Sequence, residues 1–103
     1  MEKKINILVI DDNESIIESI EKYFSGHAVI SILGKAMNGK DGLELILKNH
    51  QSYDLILMDI LMPELDGLQI LERMKENNIN SKVIVLTSYK NTVRFPFLCR
   101  EER

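Results

Sequence analysis

The sequence has little cysteine and no long hydrophobic run, and each shortage excludes a class of protein. Cys99 is the only cysteine among the 103 residues, so an internal disulfide is excluded and a reducing compartment, the cytoplasm, is expected. No apolar run approaches the roughly 18 to 20 residues that span a bilayer. The first residues, MEKK, lead straight into a strand-like run without a cleavage site, so we expect neither a signal peptide nor a membrane anchor.

An excess of positive charge is also missing. The formal net charge is -3 at pH 7, and the lysines are scattered rather than clustered, which argues against a nucleic-acid-binding surface. No linker rich in Pro, Gly and Ser and no internal repeat divides the chain. A hydrophobic content of 45% over this length therefore predicts one soluble domain with a packed core.

The apolar residues follow two alternating patterns along the chain. Four short runs rich in branched side chains predict buried strands: INILVI (5–10), AVISILGKA (28–36), DLILMDI (54–60) and KVIVLTS (82–88). Helical spacing between these runs predicts three helices whose buried faces are Ile16, Ile17, Ile20 and Phe24; Leu43, Ile46 and Leu47; and Leu68, Leu71 and Met74. This alternation predicts an α/β fold, a doubly wound parallel sheet with helices on both faces.

The segments between these elements carry turn and cap signals. Gly26 stands where the first helix should stop, and Asp66 with Gln69 three residues later forms a capping-box-like start for the third helix. His27 and His50 lie in or beside predicted surface turns, without other ligands at zinc-binding spacing. We therefore assign no metal role to either histidine.

Polar side chains stand where three of the predicted strands end. Asp11 and Asp12 follow the first strand, Asp59 lies near the end of the third, and Thr87 and Ser88 end the fourth. Ligands of open parallel sheets bind outside the carboxyl ends of the strands, so these residues meet in one pocket if the three strands are neighbours. Carboxylates at close quarters require a cation, and an all-oxygen site suits Mg²⁺.

Each of these residues also has an ordinary structural explanation. Asp11 or Asp12 could cap the following helix, Asp59 could be a solvated strand end, and Thr87 could be a turn residue. The joint occurrence of the acids on one predicted sheet edge favours a site over three separate explanations. The apolar flanks of Asp59 also make its position costly for a charge without a function.

Four segments together resemble the receiver domain family of two-component response regulators. They are VIDDNES, NGKDGLELI, DLILMDILMPELDGLQILERMK and VIVLTS, which cover about residues 4 to 88. The segments MEKKINILVIDDN and LMDILMPELDGLQILERM look especially like the receiver of the sporulation transcription regulator of endospore-forming bacteria. The resemblance implies a flavodoxin-like (CheY-like) receiver fold and a signalling function.

The resemblance also implies a role for individual residues. Asp59 matches the phosphoacceptor, which takes a phosphoryl group from a sensor histidine kinase or a phosphotransfer protein. Asp12 matches the direct Mg²⁺ ligand, Asp11 acts mainly through a bound water, and Leu61 lends its backbone carbonyl. Thr87 matches the switch hydroxyl that binds the new phosphate oxygens. The implied function is a signalling phosphoacceptor that catalyses its own transfer and dephosphorylation, and not a turnover enzyme.

Two other functions remain open at this point. The first is a truncated or pseudo-receiver fragment that keeps the sheet, cannot switch and acts only by protein association. The second is an aspartate-nucleophile phosphatase or phosphotransferase, because such enzymes also pair acids with Mg²⁺ on a doubly wound sheet. Their nucleophile usually opens a D-x-D motif after the first strand, whereas this chain has Asp11, Asp12 and Asn13 there.

The end of the chain departs from the family pattern. A complete receiver continues after the Thr-Ser with a fourth helix, a fifth strand ending in Lys-Pro and a fifth helix, but here KNTVRFPFLCREER follows. Lys90 is too close to Thr87 to match the phosphate-pairing lysine, and no residue matches the aromatic switch. We therefore predict an incomplete receiver over residues 1–88, truncated after the fourth strand, and an atypical tail over residues 89–103.

This tail leaves the fourth strand as an apolar edge of the sheet. An uncovered edge pairs readily with another chain, so either VRFPFL folds back as irregular cover, with Pro96 limiting it to an edge role, or a second chain covers the gap. Of these we expect self-association, and we expect any phosphorylation to signal poorly. A frameshift origin of the tail is the alternative to a selected role.

Overall fold

Eight regular elements and one short 3-10 turn make up the part of the chain that the computed structural model describes, residues 4–86 and 97–98. The strands are β1 (Ile5–Ile10), β2 (Ile30–Ala36), β3 (Leu55–Asp59), β4 (Lys82–Leu86) and β5 (Phe97–Leu98). The helices are α1 (Glu14–Tyr23), α2 (Gly39–Asn49) and α3 (Gly67–Glu76). Within these described residues, no helix is both long and apolar enough to cross a membrane.

The strands form one sheet in the order β2-β1-β3-β4-β5. The first four strands are parallel, and each successive pair is joined by a helix, which confirms the predicted doubly wound fold. In the register of the sheet Ile10 lies beside Met58, and Asp59 lies beside Leu86. Residues that follow β1 and β3 are therefore neighbours at the carboxyl edge of the sheet.

Side-chain caps begin each of the three helices, and the cap of α3 is the predicted one. The side chain of Asn13 accepts a hydrogen bond from the N–H of Ser15 at 2.9 Å, and that of Asn38 accepts one from the N–H of Asp41 at 2.7 Å. Asp66 and Gln69 form the predicted capping box, in which each side chain accepts a hydrogen bond from the backbone N–H of the other residue.

Two apolar clusters cover the two faces of the sheet. The larger cluster joins one face of β1, β3 and β4 to α2 and α3, and it includes Leu8, Ile10, Ile46, Ile56, Met58, Ile70, Met74 and Val85. The smaller cluster joins the opposite face to α1 through Ile7, Val9 and Ile17. Alternate side chains of β1 enter the two clusters. Packing on both faces of the sheet therefore fixes β1 and the edge where the acids lie.

The predicted buried faces of two helices are partly wrong. Leu47 is 43% exposed and Leu68 is 59% exposed, whereas Ile70 of α3, which the predicted face omitted, is 0% exposed. Each error shifts the buried face by about one or two residues. An α-helix completes one turn every 3.6 residues, so a short apolar segment is compatible with several neighbouring buried faces. Packing against the sheet determines which face is buried.

The strand ends differ slightly from the predicted bounds. β2 begins at Ile30 rather than at residue 28, because the imidazole Nδ1 of His27 accepts hydrogen bonds from the N–H groups of Val29 and Ile30 at 3.0 and 2.9 Å and makes a turn there. β3 is one residue shorter at each end than predicted. β4 is described to Leu86, so the predicted strand residues Thr87 and Ser88 lie outside the described residues.

Part of the C-terminal tail pairs with the edge of the sheet. β5 runs antiparallel to β4, with Leu98 beside Ile84 and Phe97 beside Val85. The parallel part of the sheet therefore ends at the fourth strand, as predicted, and two residues of the segment VRFPFL fold back onto the edge. The sequence left open an irregular fold-back of this segment, and the structure instead shows a short antiparallel pairing; self-association, the expected alternative, stays a prediction.

Candidate functional site

Three aspartates meet at the carboxyl edge of the sheet. Asp11 directly follows β1, Asp12 follows it, and Asp59 is the last residue of the neighbouring strand β3. One carboxylate oxygen from each residue lies within 4.8 Å of those of the other two. The structure thus brings together the three acids that the sequence predicted to share a pocket, because β1 and β3 are adjacent strands.

The backbone around Asp11 fixes the position of its carboxylate. Its Oδ1 accepts a hydrogen bond from the N–H of Asn13 at 2.9 Å, and its own N–H donates to the carbonyl oxygen of Ala36 at 3.1 Å. The side chain is buried, with 5% of its residue surface exposed. Burial raises the pKa of the Asp11 carboxyl, the hydrogen bond from Asn13 opposes that increase, and the charge of Asp12 adds to it.

Asp59 is equally buried and is more strongly perturbed. The pKa of its carboxyl is raised to about 6 from an ordinary value of 3.8, mainly by burial and in smaller part by the negative charges of Asp11 and Asp12. The hydrogen bond that the N–H of Leu61 donates to Oδ1 at 3.2 Å opposes this increase. At neutral pH most Asp59 carboxyls are therefore ionised, but the ionised form is held at a free-energy cost.

No basic side chain among residues 4–86 offsets this negative charge. The two ion pairs there join Lys35 to Glu21 at 3.1 Å and Arg73 to Glu76 at 4.0 Å, both away from the three aspartates. Asp12 is exposed at the mouth of the cluster, while Asp11 and Asp59 are buried behind it. A cation at this point would therefore reach all three carboxylates and remain open to water.

The donor set of the cluster fits Mg²⁺. All three side chains offer carboxylate oxygens, which are the ligands that this hard cation prefers, and an exposed position leaves room for the waters that Mg²⁺ keeps. Protons compete with such a cation for the same oxygens. The raised pKa values of Asp11 and Asp59 are consistent with carboxylates that lack a counter-charge.

The other predicted site residues have different outcomes. Leu61 contacts the site through its N–H, which donates to Asp59, while 56% of the residue is exposed. The role of its carbonyl as a metal ligand stays a prediction. Thr87, the predicted switch hydroxyl, lies outside the described residues. Its predecessor Leu86 is beside Asp59 in the sheet, and the carbonyl of Leu86 accepts a hydrogen bond from the N–H of Ile60 at 3.2 Å.

The loop of residues 60–66, between β3 and α3, makes a contact that the sequence did not predict. It contains Leu61, and its far end packs against Gly39 at the start of α2. Glu64 within it has a φ of 66°, a left-handed conformation that non-glycine residues seldom adopt. The segment MPELDG signalled a turn but could not indicate which distant residue the turn would contact.

Comparison with known proteins gives consistent results for sequence and structure. The response regulator protein VraR of Staphylococcus saprophyticus is 41% identical over 86 residues, which are 82% of this chain and 40% of that protein. The chain spans less than half the length of the curated relatives that it matches. The especial likeness to the sporulation regulator of endospore-forming bacteria is not tested by these relatives and stays a prediction.

Solved receiver domains have the same fold. The receiver domain of response regulator 1452 of Francisella is 34% identical with a TM-score of 0.71, and the receiver domain of NarL of Mycobacterium tuberculosis is 25% identical with a TM-score of 0.74. In each case the alignment covers 86% of this chain and 70% of the other. Residues 7–96 match the response regulator receiver domain family, and the chain belongs to that family.

Proposed function

We propose that this chain is a phosphoacceptor that takes a phosphoryl group from a histidine kinase or a phosphotransfer protein onto Asp59 with the help of Mg²⁺. The observation that carries the proposal is the meeting of three carboxylates within 4.8 Å at the carboxyl edge of the sheet. We further propose that it acts in the cytoplasm as a signalling component of a two-component system and not as a turnover enzyme. Self-association through the β4 edge accompanies this role.

The state of Asp59 supports the proposed transfer. A carboxylate oxygen of Asp59 attacks the phosphorus of a phosphohistidine, the P–N bond breaks, and its electron pair returns to the imidazole nitrogen of the donor. A pKa of about 6 keeps this carboxyl mostly ionised at neutral pH, as a nucleophile must be. The hydrogen bond from the N–H of Leu61 orients the side chain for the attack.

The remaining acids hold the cofactor in this proposal. Asp12 would hold Mg²⁺ directly and Asp11 mainly through water, and Asp59 and the Leu61 carbonyl would complete the protein ligands. When bound, Mg²⁺ supplies positive charge that stabilises the negative charge on the transferred phosphoryl group. Thr87 is proposed as the hydroxyl that binds the new phosphate oxygens.

A labelling experiment tests this function. The purified chain is incubated with Mg²⁺ and a small acyl phosphate, and peptide mass spectrometry locates any added phosphoryl group. We expect the label on Asp59, and we expect Asp59→Asn to abolish it while the fold is retained, because the change is nearly isosteric. Glu72→Gln makes the same chemical change at an exposed position of α3 and should label like the wild type.

The other possible outcomes separate the alternative functions. A label on Asp11 with none on Asp59 would support the aspartate-nucleophile phosphatase, whose nucleophile follows the first strand. No label on any residue of a folded, Mg²⁺-containing sample would reject the phosphoacceptor and leave a receiver fragment that acts by association alone.

A further inference from the structure

The loop of residues 60–66 is held at both of its ends beside Asp59. At its start the N–H of Ile60 donates to the carbonyl of Leu86 at 3.2 Å, and the N–H of Gly67 donates to the carbonyl of Ile60 at 3.1 Å. Between these ends Glu64 has a φ of 66°, a conformation that persists only when surrounding contacts impose it. The position of the loop is therefore set by its contacts rather than by its own preference.

Gly39, the first residue of α2, makes the contact at the far end of this loop. It is buried, and a Cβ added to it would overlap the carbonyl oxygen of Leu65 and lie 2.9 Å from the carbonyl carbon. The obstacle is backbone rather than the end of a flexible side chain, so it cannot rotate away. Only glycine permits the loop to lie this close to α2.

The same loop carries the group that touches the phosphoacceptor. The N–H of Leu61 donates to Oδ1 of Asp59 at 3.2 Å, and Leu61 lies four residues before Leu65. The side chain of Met62 is buried between these two points, which ties the middle of the loop to the larger apolar cluster. Only three residues separate Leu65 from Leu61, so we expect a displacement of the backbone at Leu65 to move Leu61 as well.

We propose that Gly39 is a positioning residue for the phosphoacceptor site. By allowing the backbone of Leu65 to approach α2, Gly39 holds the loop so that the N–H of Leu61 meets Asp59. The three atoms nearest to a Cβ at Gly39 all belong to Leu65 rather than to an aspartate. The inference rests on the proposed function for its effect on phosphoryl transfer, but its effect on Leu61 is independent of that function.

The variant Gly39→Ala tests this inference, with Gly34→Ala as its control. A Cβ at Gly34 in β2 would lie 2.7 Å from the hydroxyl of Tyr53 and 3.3 Å from a methyl carbon of Leu8, so it also crowds a packed position but contacts no part of the loop. Both variants are compared with the wild type under conditions in which all three are folded, as verified by circular dichroism and urea unfolding.

Two measurements separate positioning from general stability. The first is the NMR chemical shift of the Leu61 amide without Mg²⁺, and the second is the rate of labelling by the small acyl phosphate with Mg²⁺. We expect Gly39→Ala to shift the Leu61 amide and to slow labelling by about tenfold to a hundredfold, as misplacement of a reacting group by about 1 Å does. Gly34→Ala should change neither quantity, even if it lowers the urea midpoint.

Opposite results would overturn the inference in identifiable ways. An unchanged Leu61 amide in Gly39→Ala would mean that the loop does not depend on this glycine, whatever the labelling rate. Labelling of Gly39→Ala at the rate of Gly34→Ala would mean that the contact does not position the nucleophile. If the wild type does not label, the proposed function is rejected. The chemical shift of the Leu61 amide in Gly39→Ala still shows whether Gly39 positions the loop.

If Gly39→Ala does not fold, the double variant Gly39→Ala with Glu64→Gly replaces it. Glycine at residue 64 accepts the left-handed conformation without strain and also lets the loop move away from α2. The double variant is then compared with Glu64→Gly alone. A shifted Leu61 amide and slower labelling support the positioning role, and identical behaviour of the two variants overturns it.

Discussion

Asp59 is a carboxylate that the fold makes unfavourable when no cation is present. Its pKa is raised to about 6 in the folded chain from the ordinary value of 3.8, so the folded state binds its proton more tightly than the unfolded state does. The free energy of unfolding therefore loses a contribution as pH rises from about 4 through about 6. A shift of about two units corresponds to roughly 3 kcal/mol at neutral pH.

The predicted loss of stability with rising pH can be tested with Asp59→Asn in the presence of EDTA. We expect the variant to match the wild type near pH 4 and to be more stable by about 2 to 3 kcal/mol near pH 7, because asparagine cannot ionise. Urea unfolding followed by circular dichroism at several pH values measures this difference. Saturating Mg²⁺ should reduce the difference at pH 7, because it stabilises the ionised carboxylate of Asp59, which the variant lacks. A difference that does not change with pH would contradict the proposed ionisation cost.

Asp12 is the exposed member of the cluster and the expected direct ligand of Mg²⁺. Removing its carboxylate in Asp12→Ala should weaken Mg²⁺ binding about tenfold or more, equivalent to about 1.4 kcal/mol or more. Affinity of the wild type should also fall as pH drops below about 6, because protons then occupy Asp59. Isothermal titration with Mg²⁺ measures both effects, with Glu72→Ala as an exposed acid control. An Asp12→Ala curve that superimposes on the wild type would reject this site.

His27 has a structural role that its sequence context did not indicate. Its Nδ1 accepts hydrogen bonds from two backbone N–H groups, those of Val29 and Ile30, immediately before and at the start of β2. We expect His27→Ala to destabilise the chain by about 1 kcal/mol, because exposed hydrogen bonds contribute little each. Asn at this position can still accept from the backbone, so His27→Asn should recover much of the loss. Equal urea midpoints for Ala and wild type would refute the role.

At the scale of elements, two residues of α3 differ in burial and define the buried face of the helix. Ile70 is 0% exposed in the larger apolar cluster, whereas Leu68 is 59% exposed. We expect Ile70→Ala to lower the free energy of unfolding by about 2 to 4 kcal/mol because it leaves a cavity. Leu68→Ala should cost less than about 1 kcal/mol, since little packing is lost. Urea unfolding of the two variants in parallel distinguishes them, and comparable losses would mean that the face is assigned wrongly.

At the scale of the whole molecule, the two edges of the sheet differ. β2 is interrupted at Leu33 by a shift of register against β1, and its Lys35 pairs with Glu21, features that discourage pairing with another strand. The other edge is the apolar strand β4, where, among the residues that the structure describes, β5 lies beside Ile84 and Val85. Self-association is therefore expected at the β4 edge rather than at β2.

Sedimentation velocity at micromolar concentration tests this expectation. We expect the full chain to self-associate weakly and a chain shortened after residue 96 to associate more strongly, because removal of β5 exposes Ile84 and Val85. A chain shortened after residue 98 keeps β5 and serves as the control for loss of the last residues. Clean monomers for all three chains would show that the β4 edge needs no further cover.

The sequence by itself determined the elements and the chemistry at their ends. Branched runs, helical spacing and cap signals are local properties, so β1 and the capping box of Asp66 and Gln69 were predictable from short segments. The three aspartates were predictable as candidate ligands because acids recur at the ends of two apolar strands, where their joint occurrence favours a site over separate explanations. Their roles as metal ligands and nucleophile remain proposals.

Only the tertiary structure decided which of these residues meet. The adjacency of β1 and β3 brings Asp11 and Asp59 together, and strand order is set by packing over the whole sheet rather than by any one segment. The burial of Ile70 instead of Leu68 depended in the same way on which side of α3 faces the sheet. The approach of Gly39 to Leu65 joins residues 26 positions apart, and no local pattern encodes a contact between two backbones.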